Sequence, residues 1–194
     1  DISSEGFEEV AKHFEELLHD KKKMKDFWNR LDSNGNGNVS LAELDLLVKT
    51  QYPKLNNKPA LMRAFKKTTL KDGDGDSFIE KHELPFLLPN LLYFNKVFHA
   101  FDGIDTDGDK RVDFDEFRKG LHFIGLVLTK KEAQAEFEKI DANGGGIVLF
   151  DEFCTWAAKQ EVPVDGDVVT DFTEVSTEME TQESVAAKKR SSKK

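Results

Sequence analysis

An all-α fold of four helix–loop–helix units in two paired lobes, packed compactly and followed by a disordered C-terminal tail, is what this sequence predicts. Two observations carry the prediction. A twelve-residue pattern, Asp, then Asp or Asn two residues on, then Glu at position twelve, occurs four times: DSNGNGNVSLAE from Asp32, DGDGDSFIEKHE from Asp72, DTDGDKRVDFDE from Asp105 and DANGGGIVLFDE from Asp141. Repeats of this length report one supersecondary unit used several times. Apolar residues at helical spacing flank each copy. They are Phe27, Trp28 and Leu31, then Leu44, Leu47 and Val48, around the first loop. Met62, Phe65 and Leu70 precede the second, Phe94, Val97, Phe98 and Phe101 the third, and Phe137 and Ile140 the fourth. Thr129 and Glu132 form the sequence signature of a capping box, which starts the helix entering the fourth loop. Trp156 falls on the closing helix.

The spacing fits the coordination chemistry of calcium. A hard cation that takes six to eight oxygens at about 2.3–2.6 Å is met by a twelve-residue loop through positions 1, 3, 5, 7, 9 and 12. This is the EF-hand pattern. Position 7 contributes its backbone carbonyl, and the Glu at position 12 gives both carboxylate oxygens from the first turn of the exiting helix. All four loops hold that Glu, as Glu43, Glu83, Glu116 and Glu152. Position 8 is Val39, Ile79, Val112 or Val148, which predicts a short strand pairing each loop with its neighbour.

The loops are unequal in ligands. Loop 3 offers Asp105, Asp107, Asp109, the carbonyl of Arg111, Asp113 and Glu116, and ranks first, although Lys110 stands where the turn favours glycine. Loop 2 is as acidic, with Asp72, Asp74, Asp76, the carbonyl of Phe78, Glu80 and Glu83, but has Ser77 at that turn. Loop 1 has Gly37 there, with Asp32, Asn34, Asn36, Asn38, Ser40 and Glu43 as its ligand set, of which only two are charged, so it is expected to bind more weakly than loop 3. Loop 4 keeps Asp141, Asn143 and Glu152 but has Gly145 and Leu149 at positions 5 and 9. Its residues fit a binding loop completed by water and equally a loop retained to pair with loop 3.

Composition narrows the function classes. Asp and Glu number 37 against 28 Lys and Arg, a net charge of −9, which disfavours capture of nucleic acid and favours cations; Mg²⁺ is a candidate for the acidic loops at rest. The single cysteine, Cys154, permits neither an internal disulfide nor a multi-cysteine zinc site, and its apolar neighbours predict a buried thiol. His13, His19, His82, His99 and His122 share no metal-ligand spacing, and no HExxH, Ser-His-Asp order or phosphate loop stands out, so no enzyme is expected. The default location is cytoplasmic. No signal peptide is visible, and the first residue, Asp1, raises the expectation of a native N-terminus that is missing or processed. The apolar run 84–101 is interrupted by Pro85, Pro89, Asn90, Asn95 and Lys96, too broken to span a bilayer.

The expected domains are 1–88, with loops 32–43 and 72–83; 89–160, with loops 105–116 and 141–152; and a tail over 161–194. That tail carries eight acids and no Lys or Arg over 161–187, then closes on Lys188, Lys189, Arg190, Lys193 and Lys194, which reads as a solvated segment. The run LPFLLPNLLYF from Leu84 gives apolar surface where a polar linker would stand, the basis for expecting compact lobes. Methionine is confined to Met24, Met62 and Met179, so an exposed groove would be built from Phe and Leu and would accept a narrow set of protein targets.

The segments FDGIDTDGDKRVDFDEF from Phe101 and FEKIDANGGGIVLFDEFCTWAAK from Phe137, followed by Asp165, Gly166 and Asp167, resemble the flagellar calcium-binding proteins of trypanosomatids, the calflagins. The likeness covers residues 90–167; the first half shares only the general EF-hand pattern. The resemblance implies a calcium sensor of the flagellum that reaches a membrane surface through an acylated N-terminus, although residues 1–194 carry no acylation motif.

Overall fold

The computed structural model describes residues 4–160. The acidic and basic tail, with Asp165, Gly166, Asp167 and Met179, lies outside the described residues. The predicted all-α class with four hands in two pairs is what the chain adopts. The helices are α1 (Ser4–His19), α2 (Lys21–Leu31), α3 (Leu41–Gln51), α4 (Lys58–Lys67), α5 (Leu84–Ile104), α6 (Phe114–Gly120), α7 (Lys130–Ile140) and α8 (Phe150–Gln160). Four two-residue strands sit in the loops: β1 (Asn38–Val39), β2 (Ile79–Glu80), β3 (Arg111–Val112) and β4 (Val148–Leu149).

Strand pairing follows the position-8 residues. β1 and β2 run antiparallel with Val39 opposite Ile79, and β3 and β4 antiparallel with Val112 opposite Val148. All four side chains are fully buried. Branched residues suit this half-pleated site, and their burial ties each loop to its neighbour.

The described residues divide into two compact units, one built from residues 4–56 and Ala64–Leu92, the other from Asn57–Arg63 and residues 93–160. In the first, α1 contributes Phe7, Phe14, Leu17 and Leu18 to the core, and Phe14 meets Tyr52 edge-on with ring centroids 5.2 Å apart. Asp20 breaks α1 from α2 by accepting from the Lys22 and Lys23 backbone N–H groups, an N-cap that satisfies donors the helix start leaves orphaned. In the second, Phe101 packs edge-on against Phe150 and Phe153, and Phe117 lies between Phe137 and Trp156. The capping box at the start of α7 forms as expected: Thr129 Oγ accepts from the Glu132 N–H at 3.4 Å, and Glu132 accepts from the Thr129 N–H at 2.8 Å.

The apolar pattern fails at the end of α4. Met62 and Leu70 are exposed, at 45% and 52%, whereas Thr68 and Thr69 are buried. The cause is a π-helical turn over Thr68–Asp72, which inserts a residue into the helical register and rotates Leu70 outward. The proline-broken run reads differently too, since α5 continues through Pro89 as one helix. Its buried Leu84, Leu87, Leu88, Leu91 and Leu92 provide packing that offsets the missing backbone hydrogen bond. Among the described residues no helix is long and apolar enough to cross a membrane.

Cys154 is buried, as its neighbours predicted. Burial, together with the negative charge of Asp151 and against the pull of Arg63, pushes its thiol pKa up to about 12. Because the thiolate is the reactive species, thiol reagents should label the native protein far more slowly than the protein in denaturant. Equal rates at mildly alkaline pH would contradict this burial.

Candidate metal centres

Each loop begins at the end of a helix, and in three loops the first aspartate does the same thing. The Asp32 N–H donates back to the Trp28 carbonyl, the Asp105 N–H to Phe101 and the Asp141 N–H to Phe137, closing the helix. The side chain then turns into the loop. Asp32 accepts from the backbone of Asn36 and Gly37 at 3.1 and 3.0 Å. Asp105 accepts from Gly108 and Lys110 at 2.8 and 2.9 Å, and Asp141 from Gly145 and Gly146 at 2.9 and 2.8 Å. Such a clasp needs the backbone to reverse, with positive φ at positions 4 and 6.

Glycine supplies it at Gly35, Gly37, Gly108, Gly144 and Gly146. Lys110 adopts it without being glycine, at φ 68°. Its backbone N–H is held by Asp105, and its ammonium reaches Asp102 at 3.2 Å and lies 5.8 Å from the Phe98 ring centre. Those contacts offset the roughly 1–2 kcal/mol that an L-residue loses in this conformation.

The glutamate at position 12 closes each loop. Glu43 accepts from the Ser40 N–H at 3.0 Å and from Asn34 Nδ2 at 2.7 Å; Glu116 accepts from the N–H groups of Asp113 and Thr106 at 3.1 and 2.9 Å. Glu152 accepts from Leu149 and Asn143 at 3.1 and 2.6 Å. Positions 9 and 12 thereby double as a capping box for the exiting helix, with Ser40 over α3 and Asp113 over α6. Loop 4 has Leu149 at position 9 and lacks the side-chain half of that box.

Loop 3 meets the simplest geometric requirement of a cation site. One carboxylate oxygen from each of Asp105, Asp107 and Asp109 lies within 4.8 Å of the others, and two oxygens each about 2.4 Å from one calcium ion are at most about 4.8 Å apart. The side chains of Asn38, Phe78 and Arg111 at position 7 are exposed, as expected where the carbonyl is the contributing group.

Loop 2 departs from the others. Its close-set carboxylates are Asp74, Asp76 and Glu80, within 4.8 Å of one another. Asp72 points elsewhere, pairing with Lys67 and accepting from Asn90 Nδ2 at 2.9 Å. Gly75 at position 4 has positive φ, but Ser77 at position 6 does not, so the clasp seen in the other loops does not form. Glu83 is wholly buried and accepts from the N–H groups of Asp74 and Glu80 at 3.1 and 2.9 Å. It sits so close over Gly73 that a Cβ there would lie 1.5 Å from its carboxylate oxygen, so this position requires glycine. Loop 2 is as acidic as loop 3, and Ser77 at the turn is the sequence signal that it differs.

The comparisons with known proteins agree with these loops. Residues 94–158 match the EF-hand domain pair. Residues 94–158 are thus an EF-hand pair, and calcium is the ligand. The chain is similar to the flagellar calcium-binding protein TB-44A of Trypanosoma brucei brucei, 29% identical over 159 residues, which cover 76% of this chain and 39% of that protein. It therefore spans about two fifths of that relative's length. The flagellar calcium-binding protein of Trypanosoma cruzi is 27% identical over 165 residues, covering 79% of this chain and 77% of that one. A solved structure of a homolog of programmed cell death 6 protein from Leishmania major Friedlin aligns with a TM-score of 0.39 at 21% identity, over 69% of this chain and 70% of that one.

Glu43 and Glu116 set an acid limit on stability. Hydrogen bonding by the Ser40 backbone, against partial burial and aided by the Ser40 and Ser33 hydroxyls, holds Glu43 below its ordinary value of 4.5. Burial works to raise Glu116, but donors from Asp113, Thr106 and Asp107 outweigh it and lower that group also. A depressed folded pKa gives stability that is complete above the unfolded value and lost as pH falls through the folded value. In chelator, the thermal midpoint should hold from neutral pH to about 4.5 and decline below it, and Glu116→Gln should flatten the decline. A midpoint rising on acidification would reverse the assignment.

Proposed function

We propose that this EF-hand protein is a calcium sensor in which ion binding changes the arrangement of helices and exposes apolar surface to a protein partner. The observation that carries the reading is the contrast between loops of one pair. Loop 1 has its aspartate clasp in place, whereas loop 2, bridged to it through Val39 and Ile79, has its first aspartate engaged outside the loop. A site that must rearrange in order to bind couples calcium to conformation, as regulatory sites do in the range of roughly 10⁻⁷–10⁻⁵ M. A Ca²⁺/Mg²⁺ buffer would be built from sites that need little rearrangement.

In this reading the ions are held by Asp32, Asn34, Asn36, the Asn38 carbonyl, Ser40 and Glu43 in loop 1, and by Asp105, Asp107, Asp109, the Arg111 carbonyl, Asp113 and Glu116 in loop 3. Loop 2 uses Asp72, Asp74, Asp76, the Phe78 carbonyl, Glu80 and Glu83 once Asp72 has turned inward. Loop 4 keeps the clasp of Asp141, yet Gly145 and Leu149 offer no side-chain oxygen, so its role is to pair with loop 3 through β4. The flagellar setting named for the relatives is extended to this chain as part of the proposal, with the partner a protein surface or a membrane reached through an N-terminal lipid. No catalytic role is assigned.

Isothermal titration should count one ion fewer in Glu116→Gln and an unchanged number in Glu152→Gln; the reverse pattern would exchange the roles of loops 3 and 4. Calcium titration followed by tryptophan fluorescence, through Trp28 and Trp156, together with a hydrophobic dye should show both signals changing over the same concentrations. Dye binding indifferent to calcium would favour the buffer.

A further inference from the structure

Lys67 and Asn90 occupy both oxygens of the carboxylate that heads loop 2. Lys67 Nζ pairs with Asp72 Oδ1, and Asn90 Nδ2 donates to Asp72 Oδ2 at 2.9 Å and to Thr68 Oγ at 3.0 Å. Thr68 is itself fully buried and donates to the Ala64 carbonyl at 2.9 Å. Asp72 ends the π-helical turn over Thr68–Asp72, a turn pinned to the loop by the Gly75 N–H donating to the Thr69 carbonyl at 2.9 Å. In loops 1, 3 and 4 the equivalent carboxylate is held by N–H groups of its own loop, and in loop 3 it lies close to Asp107 and Asp109. The remaining members of loop 2 are in place, with Asp74, Asp76 and Glu80 close-set and Glu83 folded over Gly73.

We propose that Lys67 is a built-in competitor for calcium at loop 2, and that with Asn90 it forms a latch which the ion must open to recruit Asp72. The proposal rests on the reading that loop 2 is a calcium site and adds what regulates it. The ammonium and the calcium ion compete for the same anionic group, so the occupancy of loop 2 falls in proportion to the strength of the latch. Because Asn90 belongs to α5 and Asp72 ends the turn that continues the entering helix, opening the latch removes one of the two polar ties between them and leaves only Asn90 to Thr68. Loop 2 is thereby tuned to fill after loop 3, and its filling is the event that loosens these helices.

The test is calcium titration of the full chain by calorimetry. Lys67→Met should tighten loop 2 about two- to fivefold, the value expected for removing a partly exposed ion pair. Asn90→Ala, which removes no charge, should tighten it in the same direction. Lys71→Met removes an equal charge one residue from Asp72 and serves as the control for general electrostatics; its gain should be smaller. The Lys67→Met gain should vanish when combined with Asp72→Asn. If Glu83→Gln removes one bound ion but Lys67→Met and Asn90→Ala leave affinity unchanged, or if Lys71→Met matches Lys67→Met, the latch is refuted while loop 2 stands as a site. If Glu83→Gln changes no stoichiometry in either the native or the Lys67→Met background, both the latch and the reading of loop 2 as a site fall.

Discussion

A carboxylate on the residue that caps the C-terminus of a helix, clasped by two backbone N–H groups from the loop that follows, is the interaction on which each well-formed hand depends. It ends the entering helix, reverses the chain and turns the carboxylate into the loop in a single set of contacts. Asp32, Asp105 and Asp141 each make it. The clasp demands left-handed backbone two residues apart, so its presence is decided by what stands at position 6. Gly37 and Gly146 adopt that conformation freely, and Lys110 adopts it with the help of Asp105, Asp102 and the Phe98 ring. Ser77 does not adopt it, and loop 2 reorganises as a whole: the helix end widens into a π turn and Asp72 finds other partners.

The second half of each loop obeys a related economy. The residues at positions 9 and 12 that are suited to ligate an ion are also the N-cap and N3 residues of the exiting helix. Each of these hydrogen bonds is worth only about 0.5–1.5 kcal/mol net, but they fix the glutamate rotamer in advance. An ion arriving at loop 3 meets a carboxylate already oriented, and less ordering entropy opposes binding than a freely rotating side chain would impose. Loop 4 shows the limit of the device. Its backbone is clasped as in loop 3, yet Leu149 leaves the cap incomplete and Gly145 leaves position 5 without a side-chain oxygen.

Much of this was legible in the sequence because it is local. The repeat located the loops, the branched residues at position 8 foretold the β bridges and their partners, and Thr129 with Glu132 located the start of α7. Three features were not read. Helix α1 carries no loop pattern, and its signal was only the spacing of Phe7, Phe14, Leu17 and Leu18. The exposure of Leu70 follows from one inserted residue, which no periodicity assuming a regular helix can anticipate. The engagement of Asp72 depends on Asn90, eighteen positions away, and on a lysine whose charge in the sequence looks like ordinary surface. Acidic content measured the ligands that loop 2 possesses; it did not say where the backbone would aim them.

The unequal loops acquire meaning from the bridge that joins them. Val39 opposite Ile79 is a fully buried contact between a clasped loop and a reorganised one. In the proposed reading this shared buried pair couples the two sites, so that an ion rigidifying loop 1 would lower the ordering cost of loop 2 without touching Asp72. The bridge at Val112 and Val148 joins two loops that are both clasped already. In the proposed reading the same scaffold gives one pair in which binding rearranges structure and one in which structure precedes binding. The aspartate clasp, formed in loops 1, 3 and 4 and not in loop 2, separates the two pairs, and the count of carboxylates does not.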